Sequence, residues 1–499
     1  MNTLHKTSAI GFSKHLPYRW LVVIAVAFGI LMSVLNAMII NVALAKLQSV
    51  FQVNLSDLQW IVTAYLLTLA VSIPLVGYLA DRFGTKRMYL LSLGVFTIGS
   101  ALCGLSWNIS SLVLFRVIQG LGGGALTPLG TAMVYAVFPS KQRGLASAIL
   151  GVPVLLGPAL GPTLGGYIVQ YSDWRLIFFI NVPLGLTGLV FGAKLLQEYV
   201  ASHSGKFDWL GFLFSTLGFT MLLYGIANVA DNGWESVLVW PYLSLSLVCL
   251  AAFTLVELRV LSPLLDIRLF KDWSFISGNL LSWISQFTFI GPLFLLSLYL
   301  QNLRGLPPFQ AGLWYVPYAL TAVIILPVTG VLVDRLGAKL IILSGTSLLA
   351  ASTYGLSFLN LSSPFWEVQL LFIVRGSAFA AIIQSSLVIT LQKVDHEALS
   401  RASSLVNVTK QVAMFLGIAI LVTYAQNREG TYGVHSNQIY GTLAAFGDSF
   451  VLAALIAGMG IGVALLLPKR GKLSKSATES SMQRGAEASQ ALLMEEPCP

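Results

Sequence analysis

Long unbroken apolar runs, parted by short polar stretches, fill the chain from about residue 20 to residue 467. The strict apolar–polar alternation of a membrane barrel strand is missing. A bilayer core of about 30 Å is crossed by about 20 apolar residues in a helix. That length picks out fourteen runs: about 20–42, 58–80, 88–107, 112–138, 145–169, 176–196, 209–229, 237–258, 275–300, 311–333, 340–359, 365–391, 403–424 and 446–467. Lipid offers no partner for backbone N–H and C=O groups, so each run is predicted to be a helix. The fold class predicted is an all-α polytopic membrane protein.

Composition agrees. The 499 residues are 56% hydrophobic and 10% charged, with a mean hydropathy of +0.80. Soluble domains carry about 25% charged residues, so neither a soluble globule nor a disordered chain fits. Cys103 and Cys249 lie in apolar runs and Cys498 in the polar tail, which outlines no disulfide framework and no metal site. The net charge of +9 would suit nucleic acid if it were clustered, but the basic residues are scattered through short loops. With fourteen spans and both termini cytoplasmic, 22 Lys and Arg residues fall inside, 4 outside, and Arg116, Arg375 and Lys410 within spans. That asymmetry obeys the positive-inside rule and predicts a multi-pass protein of the cytoplasmic (inner) membrane. Ala43-Leu44-Ala45 imitates a signal-peptidase site, but the run before it is too long for a signal peptide.

The loop after the second span repeats after the tenth. Gly77, Asp81, Arg82, Gly84 and Lys86, followed by Arg87, return as Gly330, Asp334, Arg335, Gly337 and Lys339. Both copies close the second helix of a six-helix block, if spans 7 and 8 are an inserted pair. Parallel six-span halves are a known transporter plan. The division expected is a tail at 1–19, a first bundle at 20–197, a linker with the inserted pair at 198–274, a second bundle at 275–468 and a disordered tail at 469–499. In the loop motif, glycine permits close approach and a tight turn, and the charges sit where they can pair across a helix gap. A plain topological anchor is the alternative.

Charge inside a span is costly and marks function by default. Arg116 lies one turn from the outer end of its span, so it either faces a cavity or snorkels. Arg375 is more central. Lys410 lies about two turns from the inner end, with a cavity role and snorkelling both open. In the fifth span Gly157, Gly161 and Gly165 repeat every four residues, with Pro158, Pro162 and Gly166 among them. Small residues at that spacing let backbones touch, and proline bends the helix. The span therefore reads as a sliding or hinging surface, or as static tight packing. Polar and aromatic residues on the facing spans give a candidate substrate cavity of Asn36, Tyr65, Gln119, Gln286, Trp314, Tyr318, Arg375, Asn407 and Lys410, with Arg116 beside it. Lipid-interface anchoring is the alternative for the aromatics.

Taken together, the fourteen-span order, the loop motif, Leu112-x-x-x-Arg116-x-x-Gln119-Gly120 and the glycine–proline helix resemble the fourteen-span drug:proton antiporter branch of the major facilitator superfamily, the EmrB/QacA type. Asn41-Val-Ala-Leu, Trp174 to Gly185, Pro263 to Phe270 and Arg401-Ala-Ser-Ser-Leu extend the resemblance over about residues 18–468. It implies two six-helix bundles plus two inserted helices, and export of amphipathic drugs, dyes or lipids by alternating access. It implies no cofactor, the proton gradient being the energy source. By the same resemblance Asp81 and Arg82 stabilise one gate state, and Arg116 takes part in proton coupling. A monomer is expected, and a periplasmic adaptor stays open.

One departure stands out. The family's first span usually carries an acid where this chain has Asn36, and an amide cannot carry a proton at ordinary pH. No Asp or Glu lies near the centre of any span. Coupling, if present, would use Asp57 or the Arg116 neighbourhood. A basic cavity should also disfavour cationic dyes such as ethidium and favour neutral, zwitterionic or anionic amphiphiles. A proton-independent facilitator or a lipid or organic-anion translocase is the rival on the same fold. An enzyme is disfavoured, because the five histidines lie in tails or loops and no nucleophile elbow or P-loop occurs.

Overall fold

The computed structural model describes residues 17–53, 55–139, 142–198, 207–233, 236–237, 239–260, 263–394, 398–433 and 438–467. A few side chains within these ranges, those of Asp57, Arg143, Pro158 and Asp334 among them, fall outside the described set. The described residues form sixteen α-helices and no strand. The first bundle contains α1 (Tyr18–Phe51), α2 (Leu55–Phe83), α3 (Thr85–Gly104), α4 (Ile109–Val137), α5 (Arg143–Tyr171), α6 (Leu176–Phe179) and α7 (Asn181–Leu195). Then come α8 (Trp209–Asn232) and α9 (Val239–Arg259). The second bundle contains α10 (Trp273–Leu298), α11 (Pro308–Leu313), α12 (Val316–Leu336), α13 (Ala338–Leu356), α14 (Phe365–Leu391), α15 (Leu399–Gly433) and α16 (Gln438–Leu466).

Thirteen helical segments are long and apolar enough to cross a membrane, and a bent pair in α5, Ile149–Gly157 and Leu160–Tyr171 at 41°, brings the number to fourteen. Two spans are each built from two helices, α6 with α7 and α11 with α12. Pro183 and Pro317 lie just past the two breaks, where a missing N–H leaves the carbonyl four residues back without its helical bond. α1 and α15 overrun the apolar stretches that announce them, reaching Phe51 and Gly433. Apolarity marks where lipid is, and a helix can continue past it into polar sequence.

The two bundles repeat one packing scheme. α1 packs on α5, α2 on α4 and α3 on both α4 and α7; α10 packs on α15, α12 on α14 and α13 on both α14 and α16. Glycine sets the spacing around α4. A methyl group added at Gly122 would meet the backbone of Ser92 and Phe96 at 2.4 Å, and one at Gly120 would meet the Tyr65 carbonyl at 2.8 Å. Such close approach replaces the hydrophobic drive that lipid cannot supply between helices. The bundles meet along two seams, α2 with α15 and α5 with α12, and α8 packs across the first of these while α9 packs on α8. Trp107, Trp240 and Trp366 at one set of helix ends, and Trp209 and Trp273 at the other, are exposed, as in the aromatic belts of a bilayer protein.

The repeated loop folds the same way twice. Gly84 and Gly337 end α2 and α12 at φ of 95° and 91°, a region that favours glycine. Lys86 Nζ donates to the Ala193 carbonyl at the end of α7, and Lys339 Nζ to the carbonyls of Leu465 and Leu467 at the end of α16. Each lysine thus caps the last span of its own bundle. Arg87 pairs with Glu198, whose carboxylate also accepts the Lys86 and Arg87 amides at the start of α3.

At the same membrane face Asp272 pairs with Lys393 at 2.8 Å inside the second bundle. Burial pushes the Asp272 carboxyl up, but the Lys393 ammonium and the amides at the start of α10 outweigh it and hold it below its ordinary value. Its contribution to stability is therefore present above pH of about 4 and is lost as pH falls through the depressed value. Both partners are partly exposed, so Asp272→Asn should cost under about 1 kcal/mol. Thermal unfolding between pH 3 and 7 checks this: wild type should lose its small advantage over the variant toward pH 3.

Candidate functional site

At the end of α2, Asp81 crosses to the other bundle. Its Oδ2 accepts from Arg401 Nε on α15 at 2.8 Å, with both side chains largely buried. Gly77 lies one turn earlier, where an added methyl would meet Arg401 Cγ at 3.0 Å. A small residue and an acid on one helix face therefore clasp one arginine. Arg82 does not cross the seam; it bonds the Tyr78 hydroxyl on its own helix, and Arg335 is exposed. The clasp lies on the face of the α2–α3 turn.

The opposite end is closed by backbone contact. An added methyl at Gly166 on α5 would meet Phe309 Cα on α11 at 2.9 Å, and one at Gly312 would meet Thr163 N at 2.9 Å, beside Pro162. The stripe of Gly157, Gly161 and Gly165 faces the other way, onto Val34, Met38 and Ile39 of α1 in its own bundle. The four-residue spacing is thus an internal packing surface, whereas Gly166, like Gly151 against Leu326 nearer the other end of α5, touches the second bundle.

Between the two closures lies a cavity of about 210 Å³. α1, α2, α4 and α5 wall one side and α10, α14 and α15 the other. Gln286, Asn407 and Lys410 line it, and so do Gln384 and Gln411. Lys410 makes no ion pair or hydrogen bond with any described residue, and no Asp or Glu is among the described lining residues. Phe289 and Phe379 stack at 4.0 Å on the same wall, with Tyr318 stacked on Phe289 behind them.

The other expected cavity residues lie elsewhere. Arg116, Gln119 and Asn36 are fully buried inside the first bundle. Arg116 donates to the Ile61 carbonyl at 3.0 Å and to Gln119 Oε1 at 2.8 Å, and its guanidinium lies 4.1 Å from the Tyr65 ring centre. Gln119 Nε2 in turn donates to Asn36 Oδ1 at 3.2 Å and to Ser100 Oγ at 2.9 Å, and Asn181 joins at Ser100. Arg375 is the counterpart in the second bundle. It donates to Thr353 Oγ1 and the Thr288 carbonyl, behind Tyr318 and Phe289. Trp314 packs on Phe365 and near Arg304 at the Gly166 end. This placement has one cause: a polar side chain on a span can turn to a neighbouring helix of its own bundle as well as to a cavity, and hydrogen-bond partners in the bundle decide.

Three site residues lie outside the described side chains: Asp57, Asp334 and Pro158. Four participants were not read from the sequence as site residues: Arg401, Gln384, Gln411 and Ser100. Arg401 had a signal. Arg143-Gly-Leu-Ala-Ser opens α5 as Arg401-Ala-Ser-Ser-Leu opens α15, so the internal repeat marks the position. Gln384 and Gln411 carried the same signal as Gln119 and Gln286, an amide within an apolar run, and Ser100 gave none.

Residues 26–418 match the family model described as the Major Facilitator Superfamily. The chain is 32% identical over 412 residues to the tetracenomycin C resistance and export protein of Streptomyces glaucescens, covering 82% of this chain and 77% of that protein. It is 32% identical over 407 residues to a multidrug resistance protein B homolog of Mycobacterium tuberculosis, covering 79% and 75%. The crystal structure of the human organic anion transporter MFSD10 matches with a TM-score of 0.61 at 16% identity, over 90% of this chain and all of that one, a likeness of fold alone.

Proposed function

The chain belongs to the Major Facilitator Superfamily, and on that premise we propose that it exports amphipathic small molecules from the cytoplasm or inner leaflet, as a member of the fourteen-span drug:proton antiporter branch. The observation that carries this reading is a largely apolar cavity between two matching bundles, bounded by a salt-bridge clasp at one end and a glycine-mediated contact at the other. Opening one closure while the other holds is alternating access. The excess of Lys and Arg on the clasp side supports a cytoplasmic position for that face and for both termini, in the inner membrane. Two of the relatives are named for export or multidrug resistance, which supports the direction and substrate class.

Proton exchange is the proposed energy source. A facilitator without proton exchange is the second reading, favoured by one observation: Asn36 stands where the branch carries an acid, and no carboxylate is among the described lining residues. In the structure Asn36 reaches Arg116 through Gln119, so an acid there would sit two hydrogen bonds from the guanidinium. Proteoliposomes with an imposed pH gradient test the two. Uphill movement of at least one dye, from a panel of cationic, neutral and anionic amphiphiles, is expected, and Asn36→Asp should raise the gradient-driven rate several-fold. Flux indifferent to the gradient in both proteins supports the facilitator, and no flux of any dye overturns transport of amphiphiles.

A further inference from the structure

The cavity carries more information about its occupant than size. Its two walls differ in kind. On α1, α2, α4 and α5 it is mostly apolar, with Val34, Ala37, Leu66 and Val154 lining it; its polar side chains are the neutral hydroxyls of Ser33, Thr127 and Thr131, of which Ser33 and Thr131 donate to carbonyls of their own bundle. On α10, α14 and α15 it presents Gln286, Gln384, Asn407, Gln411 and Lys410. Of the three cations within spans, Arg116 and Arg375 are spoken for inside their own bundles. Lys410 alone lines the chamber, and no described carboxylate answers it.

An ammonium in an apolar chamber without a counter-charge is an expensive arrangement. A ligand that brings the counter-charge relieves it, and the attraction is strong because the surroundings have a low dielectric constant. Glutamine amides beside the lysine offer N–H donors to further oxygen atoms of an anion. The opposite wall has no cation or amide among its described lining residues and, apart from three hydroxyls, is apolar, which suits hydrocarbon or aromatic carbon.

We infer that the export substrate is an anionic amphiphile, its carboxylate, sulfonate or phosphate held at Lys410 and its apolar body laid on α1, α2 and α5. The inference rests on the export reading above and narrows it to one charge class. Head and body then contact different bundles, so the ligand itself bridges the seam. A cationic amphiphile of equal shape meets Lys410 as a like charge.

Three matched probes test this on the full-length protein in neutral-lipid nanodiscs: 1-pyrenebutyrate, 1-pyrenebutanol and a pyrenebutyl-trimethylammonium salt, read by pyrene fluorescence. Wild type should bind the carboxylate at least ten-fold tighter than the ammonium, with the alcohol between. Lys410→Gln should erase the order, and Lys410→Arg should keep it. Ala37→Phe, which fills the apolar side, should weaken all three alike. Displacement of pyrenebutyrate by 2-naphthalenesulfonate or by a lysophosphatidate would each support the shared chemistry and would separate a soluble anion from a lipid. Equal binding of all three probes by wild type, or an order unchanged in a folded Lys410→Gln, overturns the inference and leaves export of amphiphiles standing. No binding of any probe overturns both.

Discussion

Arg401→Ala is expected to shift the carrier toward the form open at the Asp81 end by roughly ten-fold and to cut net transport by a similar factor. The reason is the clasp. Asp81 is largely buried and gives up water for a 2.8 Å contact with Arg401 across the seam. Removing one partner of a fully buried pair costs about 3–5 kcal/mol. Here Arg401 is partly exposed, so about 1–3 kcal/mol is a fair range after screening. The contact exists only when the bundles are together at that end, so the cost falls on one conformation rather than on the fold. A shift of 1.4 kcal/mol is ten-fold in the equilibrium. Thiol labelling of Thr131→Cys, a cavity position, in a protein freed of Cys103, Cys249 and Cys498, measures it from the clasp side. Labelling should accelerate in Arg401→Ala, and the exchange Asp81→Arg with Arg401→Asp should return it part of the way. Unchanged labelling with unchanged transport would remove the clasp from the gating cycle.

A second large effect should come from a site far from the cavity. Gly122→Val should destabilise the first bundle by about 3 kcal/mol or more, since overpacking costs about 1–3 kcal/mol even where side chains can yield. Here the added carbon would meet backbone atoms of Ser92 and Phe96 at 2.4 Å, and backbone on a packed helix cannot step aside. Gly94→Val is the control: nothing lies within 4 Å of an added methyl there. The measurement is the yield and melting temperature of detergent-solubilised monodisperse protein. Gly94→Val should match wild type, and a Gly122→Val that melts with it would show that α3 and α4 separate more easily than their packing implies.

These two sites mark how far the sequence could be read. The spans were legible because lipid demands the same length of apolar residues every time, and the doubled loop motif revealed the two halves. The contents of the cavity were legible only in part. Gln286, Asn407 and Lys410 line it, whereas Arg116, Gln119, Asn36 and Arg375 found partners within their own bundles. Helical period alone fixes a face, and two neighbours can compete for the same face. The three-glycine stripe of α5 was ambiguous for the same reason: it announces that a backbone comes close but not which one. Arg401 lay in plain sight in the repeat, but its partner is 320 positions away in the chain and no local pattern joins them.

The hairpin of α8 and α9 breaks the symmetry that the doubled halves would otherwise impose. α8 lies over the α2–α15 seam, held by the Trp60–Tyr224 stack and by the Thr423 hydroxyl on the Val229 carbonyl, and among the described helices neither α8 nor α9 packs on α5 or α12 to any comparable extent. The two seams therefore present unlike flanks to the surrounding leaflet, one backed by a helical hairpin and the other formed by the bundle helices themselves.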